Sequence, residues 1–132
     1  MAIYLMGFTG IGFAISGICI FFAPEHFFGL LGSYYGTFNI HFVKDAGIAF
    51  SSSGFLLIGS FSYKPWRAPL ALGGASFIGL HGLFHAQMIL NGMIPADSIV
   101  IEMILNILPS IFTVILAGLV IRACSIENAK KQ

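Results

Sequence analysis

The feature that most constrains this fold is a set of four apolar stretches, each about as long as a membrane-crossing helix. They cover residues 3–23, 42–61, 66–90 and 98–121. A helix needs roughly 20 apolar residues to span the hydrocarbon core. Hydrophobic residues make up 58% of the chain and charged residues 8%, whereas a soluble domain carries roughly 25% charged residues. We therefore predict an all-α fold: an integral membrane four-helix antiparallel bundle, in a single transmembrane domain over residues 1–132.

Basic residues are distributed unevenly between the two ends of the predicted bundle. An even number of spans puts both termini, and the loop between the second and third spans, on one side. The basic residues on that side are Lys64, Arg67, Arg122, Lys130 and Lys131. The opposite side carries Lys44 alone. Because basic loops remain in the cytoplasm, we predict that both termini are cytoplasmic and that the membrane is the inner membrane of a bacterium.

Charge and cysteine content exclude several classes of protein. A formal net charge of +1 gives no basic surface for nucleic acid, so the expected partner is the lipid bilayer. The first apolar stretch lacks the basic residues that open a signal peptide, and we predict that it is a retained helix. Cys19 and Cys124 fall on opposite sides of the predicted membrane, beyond the reach of a disulfide.

Polar residues in the predicted spans occur as pairs spaced four apart. The pairs are His41 and Asp45, His81 and His85, and Glu102 and Asn106. Residues four apart share one face of a helix, and polar groups in a span usually face the protein interior. Counting along antiparallel spans places all three pairs at a similar depth in the outward-facing part of the bundle. The sequence thus predicts one polar layer near the outer surface.

Histidine and carboxylate side chains are the usual protein ligands of transition metals. We therefore predict an outward-facing pocket between the second, third and fourth spans that binds zinc, iron or copper. The predicted ligands are His41, Asp45, His81 and His85, with Glu102 as a further ligand or a catalytic general base. An oxidoreductase role is the preferred function and a metal-dependent membrane hydrolase the alternative. Whether the protein is an enzyme remains open at this stage.

The same layer fits other functions. A quinone could bond to a histidine and a carboxylate, with Asn106 and Phe84 as cofactor-binding residues and Phe50 and Phe77 lining the cleft. Haem could take one axial histidine from each of the second and third spans. The polar pairs could instead hydrogen-bond across helices and bind nothing. Small four-helix chains also serve as structural accessory subunits of larger membrane enzymes, or assemble as homo-oligomers.

Two segments of the middle of the chain resemble a known group of proteins. The stretch Asn-Ile-His-Phe-Val-Lys-Asp-Ala-Gly at 39–47, followed by His-Gly-Leu-Phe-His at 81–85, is similar to small four-helix bacterial membrane proteins of the broad DoxX-like group. Some members of that group are associated with quinone-linked thiosulfate oxidation, so the resemblance implies a quinone. It implies no catalytic residues for this chain.

Pro109 lies inside the fourth predicted span. Proline removes a backbone hydrogen bond and crowds the carbonyl four residues earlier, here that of Leu105. The sequence therefore predicts a kink next to Asn106. Such a kink is either tolerated packing or an opening of the bundle beside the polar layer.

Overall fold

The computed structural model describes residues 1–31 and 36–130, and the protein is all-α and 87% helical. The helices are α1 (Ala2–Phe22), α2 (Pro24–Leu31), α3 (Ile40–Ser62), α4 (Arg67–Leu90) and α5 (Ile99–Ala129). A short 3-10 turn, Lys64–Trp66, joins α3 to α4. A π-helical segment, Met103–Ile107, interrupts the α-helical geometry of α5.

Local sequence explains where several helices begin and end. α2 begins at Pro24, whose fixed φ suits a first helical position. The side-chain oxygen of Asn39 accepts hydrogen bonds from the backbone N–H groups of His41 and Phe42, which caps the start of α3. α4 ends where Gly92 adopts a φ of +68°, a left-handed conformation that glycine adopts at little cost.

Three of the helices, α1, α3 and α5, are long and apolar enough to cross a membrane. The prediction of helices that are long and apolar enough to span a membrane is therefore confirmed for these three. α4 has a comparable length of 24 residues, but its mean hydropathy is too low for it to be counted with these three. Its sequence contains His81, His85 and Gln87 together with several glycines, which lower its mean hydropathy below that of its neighbours.

The four long helices pack as neighbours in the order α1, α3, α4 and α5, with a smaller contact between α5 and α1. α1 and α3 approach most closely, since a Cβ atom on Gly54 would lie 2.3 Å from the backbone nitrogen of Ala14. A hydrophobic core joins all four helices in the part of the molecule that contains both ends of the described chain. Its buried residues are Met6, Leu57, Ala71, Ala75, Leu116, Ala117 and Val120.

The outer surface of this helical assembly is strongly apolar. Large hydrophobic side chains are exposed along every long helix, among them Phe8 on α1, Phe55 on α3, Leu80 on α4 and Ile115 on α5. A soluble monomer rarely exposes contiguous apolar surface on this scale. The distribution is the one expected where lipid, rather than water, surrounds the helices.

Candidate functional site

The centre of the site is a buried pair formed by His85 on α4 and Glu102 on α5. Their side chains are 5% and 2% exposed, and His85 Nδ1 lies 2.7 Å from Glu102 Oε2. Asn106 Nδ2 donates a second hydrogen bond, of 2.9 Å, to the same carboxylate oxygen. A buried carboxylate is costly without partners, and these two donors satisfy it. The contacts tie α4 to α5 through polar groups.

His81 lies one helical turn before His85 on α4 and adds a second imidazole to this arrangement. Its ring centroid lies 4.5 Å from that of His85, and it lies beside the side chain of Asn106. His81 is half-buried, whereas His85 is buried. His81, His85, Glu102 and Asn106 together form what we call the polar cluster. The cluster therefore runs from the buried His85–Glu102 pair to an imidazole that is partly exposed.

Two phenylalanines flank His81. The ring of Phe50, on α3, meets the imidazole edge to face with a centroid separation of 4.9 Å. Phe77, one turn before His81 on α4, stacks on it with centroids 5.6 Å apart. Phe50 and Phe77 also contact each other, at 5.3 Å. The accessible part of the polar cluster is therefore framed by aromatic rings at the contact between α3 and α4.

The irregular part of α5 supports the position of Asn106. Within the π-helical segment the backbone N–H of Leu108 donates to the carbonyl of Met103, five residues earlier. Wider π-type turns occur where the α-helical ladder is disrupted, and Pro109, which has no N–H, follows at once. The Oγ of Ser110 donates to the carbonyl of Asn106 over 2.6 Å. The kink predicted at Pro109 is thus absorbed by the π segment, and α5 continues to Ala129.

α4 can approach this part of α5 closely because position 82 is glycine. A Cβ atom on Gly82 would lie 2.3 Å from the Cβ of Ser110. Gly82 stands between His81 and His85 in sequence, so the close approach holds both imidazoles against Glu102 and Asn106. Gly82 and Ala86 are small residues spaced four apart, a pattern that predicts close helix packing in lipid, whereas nothing in the sequence singled out Ser110.

The second-span pair of the predicted metal site lies elsewhere. His41 and Asp45 are exposed, whereas Val43 and Gly47 on the same helix are buried. Two residues advance a helix by about 200°, so burial of Val43 and Gly47 turns His41 and Asp45 to the opposite, outward face. The prediction that His41, Asp45, His81 and His85 share one pocket is therefore wrong.

The metal-binding function predicted from the sequence is also wrong. Among the described residues, the structure contains no group of three or more histidine, cysteine or acidic side chains able to hold a metal ion. In addition, Nδ1 of His85 is engaged by Glu102 at hydrogen-bonding distance. The metal-dependent oxidoreductase and hydrolase interpretations fail with the metal site, because both need the ion at these residues.

The remaining predicted residues occupy different positions relative to the polar cluster. Glu102 and Asn106 lie within it. Phe84 is 54% exposed, and its ring meets His85 edge to face with centroids 5.8 Å apart. Phe84 therefore covers the outer side of His85 and faces away from the bundle. The roles predicted for these residues, in catalysis or cofactor binding, remain predictions.

Comparison with known proteins adds no family to this description. No protein-family model matches the chain, and neither curated proteins nor solved structures show a significant match. The resemblance to the DoxX-like group stays a prediction. The function must therefore be argued from the geometry of the polar cluster and from its surroundings.

Proposed function

We propose that the chain is an integral membrane protein folded as a four-helix antiparallel bundle, with both termini in the cytoplasm of a bacterium and with α4 as the least apolar span. Three helices of suitable length and hydropathy support this proposal. α4 packs between α3 and α5, which would shield its polar residues from lipid. The predicted orientation follows the basic residues Lys64, Arg67, Arg122 and Lys130.

Cysteine accessibility tests this arrangement directly. In a variant without Cys19 and Cys124, we expect a cysteine introduced as Asn128→Cys to react with a membrane-impermeant maleimide only after the cells are opened. The matched variant Met93→Cys, in the exposed loop after α4, should react in intact cells. Reaction of both variants from the same side would contradict the proposed orientation. Release of the protein from membranes by alkaline carbonate would contradict the membrane location itself.

We further propose that the polar cluster binds the headgroup of a quinone. The observation that carries this proposal is the connection of the buried His85–Glu102 pair to the partly accessible His81. A quinone is a planar, apolar ring with carbonyl oxygens that accept hydrogen bonds. In this proposal a ring N–H of His81 donates to one quinone carbonyl, and Phe50 and Phe77 offer aromatic surface beside it.

Intramembrane ionisable residues support a binding role because they are expensive to keep in lipid. Polar groups that serve only to hold helices together contribute about 0.6 kcal/mol on average in a membrane. A two-residue hydrogen bond would suffice for that purpose. Here four polar side chains are linked, and the chain of contacts ends at a half-buried residue rather than in the interior. Ionisable residues within membrane spans commonly mark substrate or ion pathways, which supports a binding role for this cluster.

Quinone fits these residues better than haem does. Two axial haem ligands approach the iron from opposite sides of the macrocycle. His81 and His85 lie one turn apart on the same helix, with ring centroids only 4.5 Å apart, so no macrocycle fits between them. His41, the second-span histidine, is on the outward face of α3.

Titration with decylubiquinone and with menadione, on protein in lipid nanodiscs, tests quinone binding. We expect saturable binding near one quinone per chain, and about tenfold weaker binding for His81→Ala, the effect of losing roughly 1.4 kcal/mol of interaction. His81→Gln, which keeps an N–H donor, should recover part of the affinity. His41→Ala is the matched control and should bind as the wild type does.

Two results would overturn the quinone proposal. One is wild-type binding that does not exceed the partitioning of the quinone into empty nanodiscs. The other is an equal loss of affinity in His81→Ala and His41→Ala, because the two histidines differ in their access to the polar cluster. Circular dichroism and thermal unfolding of each variant separate a loss of binding from a loss of fold.

A further inference from the structure

A second feature lies at the opposite end of the molecule, where α1 begins, α4 begins and α5 ends. A cavity of about 220 Å³ opens there between the three helices. Its floor is apolar and includes Ala2 and Ile3 of α1 and Leu119 and Val120 of α5, while Arg67 and Glu127 stand at its rim. We call this cavity the cationic groove. It is separate from the polar cluster.

The guanidinium of Arg67 is held in place at the rim by the end of α3. Its Nε donates to the carbonyl of Ser60 over 3.2 Å, and its Nη2 lies 3.5 Å from the carbonyl of Phe61. The Oγ of the fully buried Ser60 donates in turn to the backbone carbonyl of Arg67. A guanidinium has five N–H donors, so these two contacts leave donors for a further acceptor. The head of Arg67 is thus oriented before any ligand arrives.

The rim carries an excess of positive charge. Lys64 Nζ lies 2.6 Å from Glu127 Oε1, so the carboxylate of the rim already has a cationic partner. Lys64 does not line the groove, but its charge offsets that of Glu127 and leaves the charge of Arg67 in excess at the rim. Planar guanidinium groups suit the paired oxygens of a phosphate. The charge of the groove therefore favours an anionic ligand.

Aromatic residues beside Arg67 indicate the level of this groove relative to the membrane. Tyr63 and Trp66 are 59% and 57% exposed and flank the start of α4. Tyrosine and tryptophan collect at the boundary between hydrocarbon and headgroups. An apolar groove that opens to a cationic rim at this level matches a phospholipid, with an acyl chain on the floor and a phosphate at the rim.

We propose that the cationic groove is a binding site for an anionic phospholipid of the cytoplasmic leaflet, in which Arg67 contacts the headgroup phosphate and Ile3 and Leu119 contact an acyl chain. This inference rests on the membrane location and orientation proposed above. It is independent of quinone binding, because its residues and those of the polar cluster lie at opposite ends of α4. The expected ligand is a molecule that carries one negative charge next to an extended apolar chain.

Native mass spectrometry of the purified protein, with phosphatidylglycerol and phosphatidylcholine of the same acyl chains, tests this site. We expect the wild type to prefer phosphatidylglycerol. Arg67→Gln should reduce that preference about fivefold, the effect of one basic side chain at an anionic membrane surface. The matched control Arg122→Gln removes an exposed cation of α5 outside the groove and should retain the preference.

A second variant keeps the proposal falsifiable if Arg67→Gln weakens the fold. Ala123→Phe fills the groove from an exposed position and leaves Arg67 in place, so it should reduce phosphatidylglycerol binding as well. Equal binding of the two lipids by the wild type would overturn the proposal, as would an equal effect of Arg67→Gln and Arg122→Gln. Displacement of the lipid by millimolar inorganic phosphate alone would show a free-anion site and would also overturn it. Titration of Arg67→Gln with decylubiquinone tests quinone binding separately from lipid binding. We expect the quinone affinity of this variant to equal that of the wild type.

Discussion

Two helix contacts in this protein differ in the residues that form them. One joins α1 to α3, and the other joins α4 to α5. α1 and α3 meet through glycine and small residues, so that backbone lies on backbone at Gly17, Gly47 and Gly54. α4 and α5 meet partly through Gly82, but the C-terminal half of α4 and the N-terminal part of α5 are joined by the polar cluster. The first contact needs no polar partner. The second is stable only while each buried polar atom keeps its hydrogen bond.

The comparison shows what each contact can be used for. In lipid, close approach of small residues gains van der Waals contact at no cost in polar groups. Within the described residues, every buried side-chain nitrogen and oxygen has a hydrogen-bond partner, so the polar contact is satisfied as well. The quinone binding proposed above would use the polar groups of this second contact.

The largest effect is expected at the glycine contact. Gly54→Ala would put a Cβ atom 2.3 Å from the nitrogen of Ala14 and 2.6 Å from the carbonyl of Gly10, both rigid backbone atoms. We expect the free energy of unfolding to fall by about 3 kcal/mol, at the upper end of overpacking effects. Gly12→Ala, where a Cβ atom meets nothing within 4 Å, should stay within about 1 kcal/mol of the wild type. Thermal unfolding in one detergent measures both, and equal destabilisation would refute the distinction.

A smaller effect is expected at the polar contact. Glu102→Leu removes the hydrogen-bond partner of both His85 and Asn106. We expect a loss of about 2 kcal/mol, since a buried group such as His85 left unpaired costs about 1–3 kcal/mol, whereas Asn106 is only half-buried. The double variant His85→Leu with Glu102→Leu should lose less than the sum of the two single variants, because neither partner is then left alone. Denaturation in mixed detergents measures this cycle. Additive losses would mean that the two side chains do not interact.

The smallest effect is expected at the ion pair between Lys64 and Glu127. The two side chains are 63% and 41% exposed, and exposed ion pairs contribute about 0–1 kcal/mol. Lys64→Gln should therefore lower the free energy of unfolding by no more than about 0.5 kcal/mol. The difference between variant and wild type should shrink further at high salt. If Lys64→Gln lowered the free energy of unfolding as much as Glu102→Leu does, this exposed ion pair would stabilise the fold as much as the buried polar contact. That result would contradict the expected order of effects.

The positions of most helices could be predicted, because a long apolar stretch begins and ends close to where the helix itself begins and ends. The helices α1, α3 and α4 begin and end within two residues of the predicted spans. α5 was predicted to end at residue 121 but continues to Ala129. Hydropathy reports only the apolar part of a helix, whereas the backbone ladder continues through Arg122 and Glu127 into polar sequence. The prediction at Pro109 was partly right, since the ladder changes there without ending.

Part of the polar cluster could also be predicted from the sequence. The spacing of four predicted that His81 pairs with His85 and that Glu102 pairs with Asn106 on single helix faces, and the structure brings these two pairs together. The same spacing could not tell which way His41 and Asp45 face. Both faces of α3 carry residues compatible with burial, and the choice was made by the close fit of Gly47 and Gly54 against α1.

The sequence by itself determined that the chain forms long apolar helices and that each polar pair lies on one helix face, because hydropathy and the 3.6-residue period are properties of a single segment. Only the tertiary structure decided which faces meet. Burial of Val43 and Gly47 turned His41 and Asp45 outward. The approach of Gly82 to Ser110 joined His85 to Glu102. Rotation of a helix about its axis is fixed by the shape of its neighbours, so the polar cluster, unlike the helices that carry it, follows from packing.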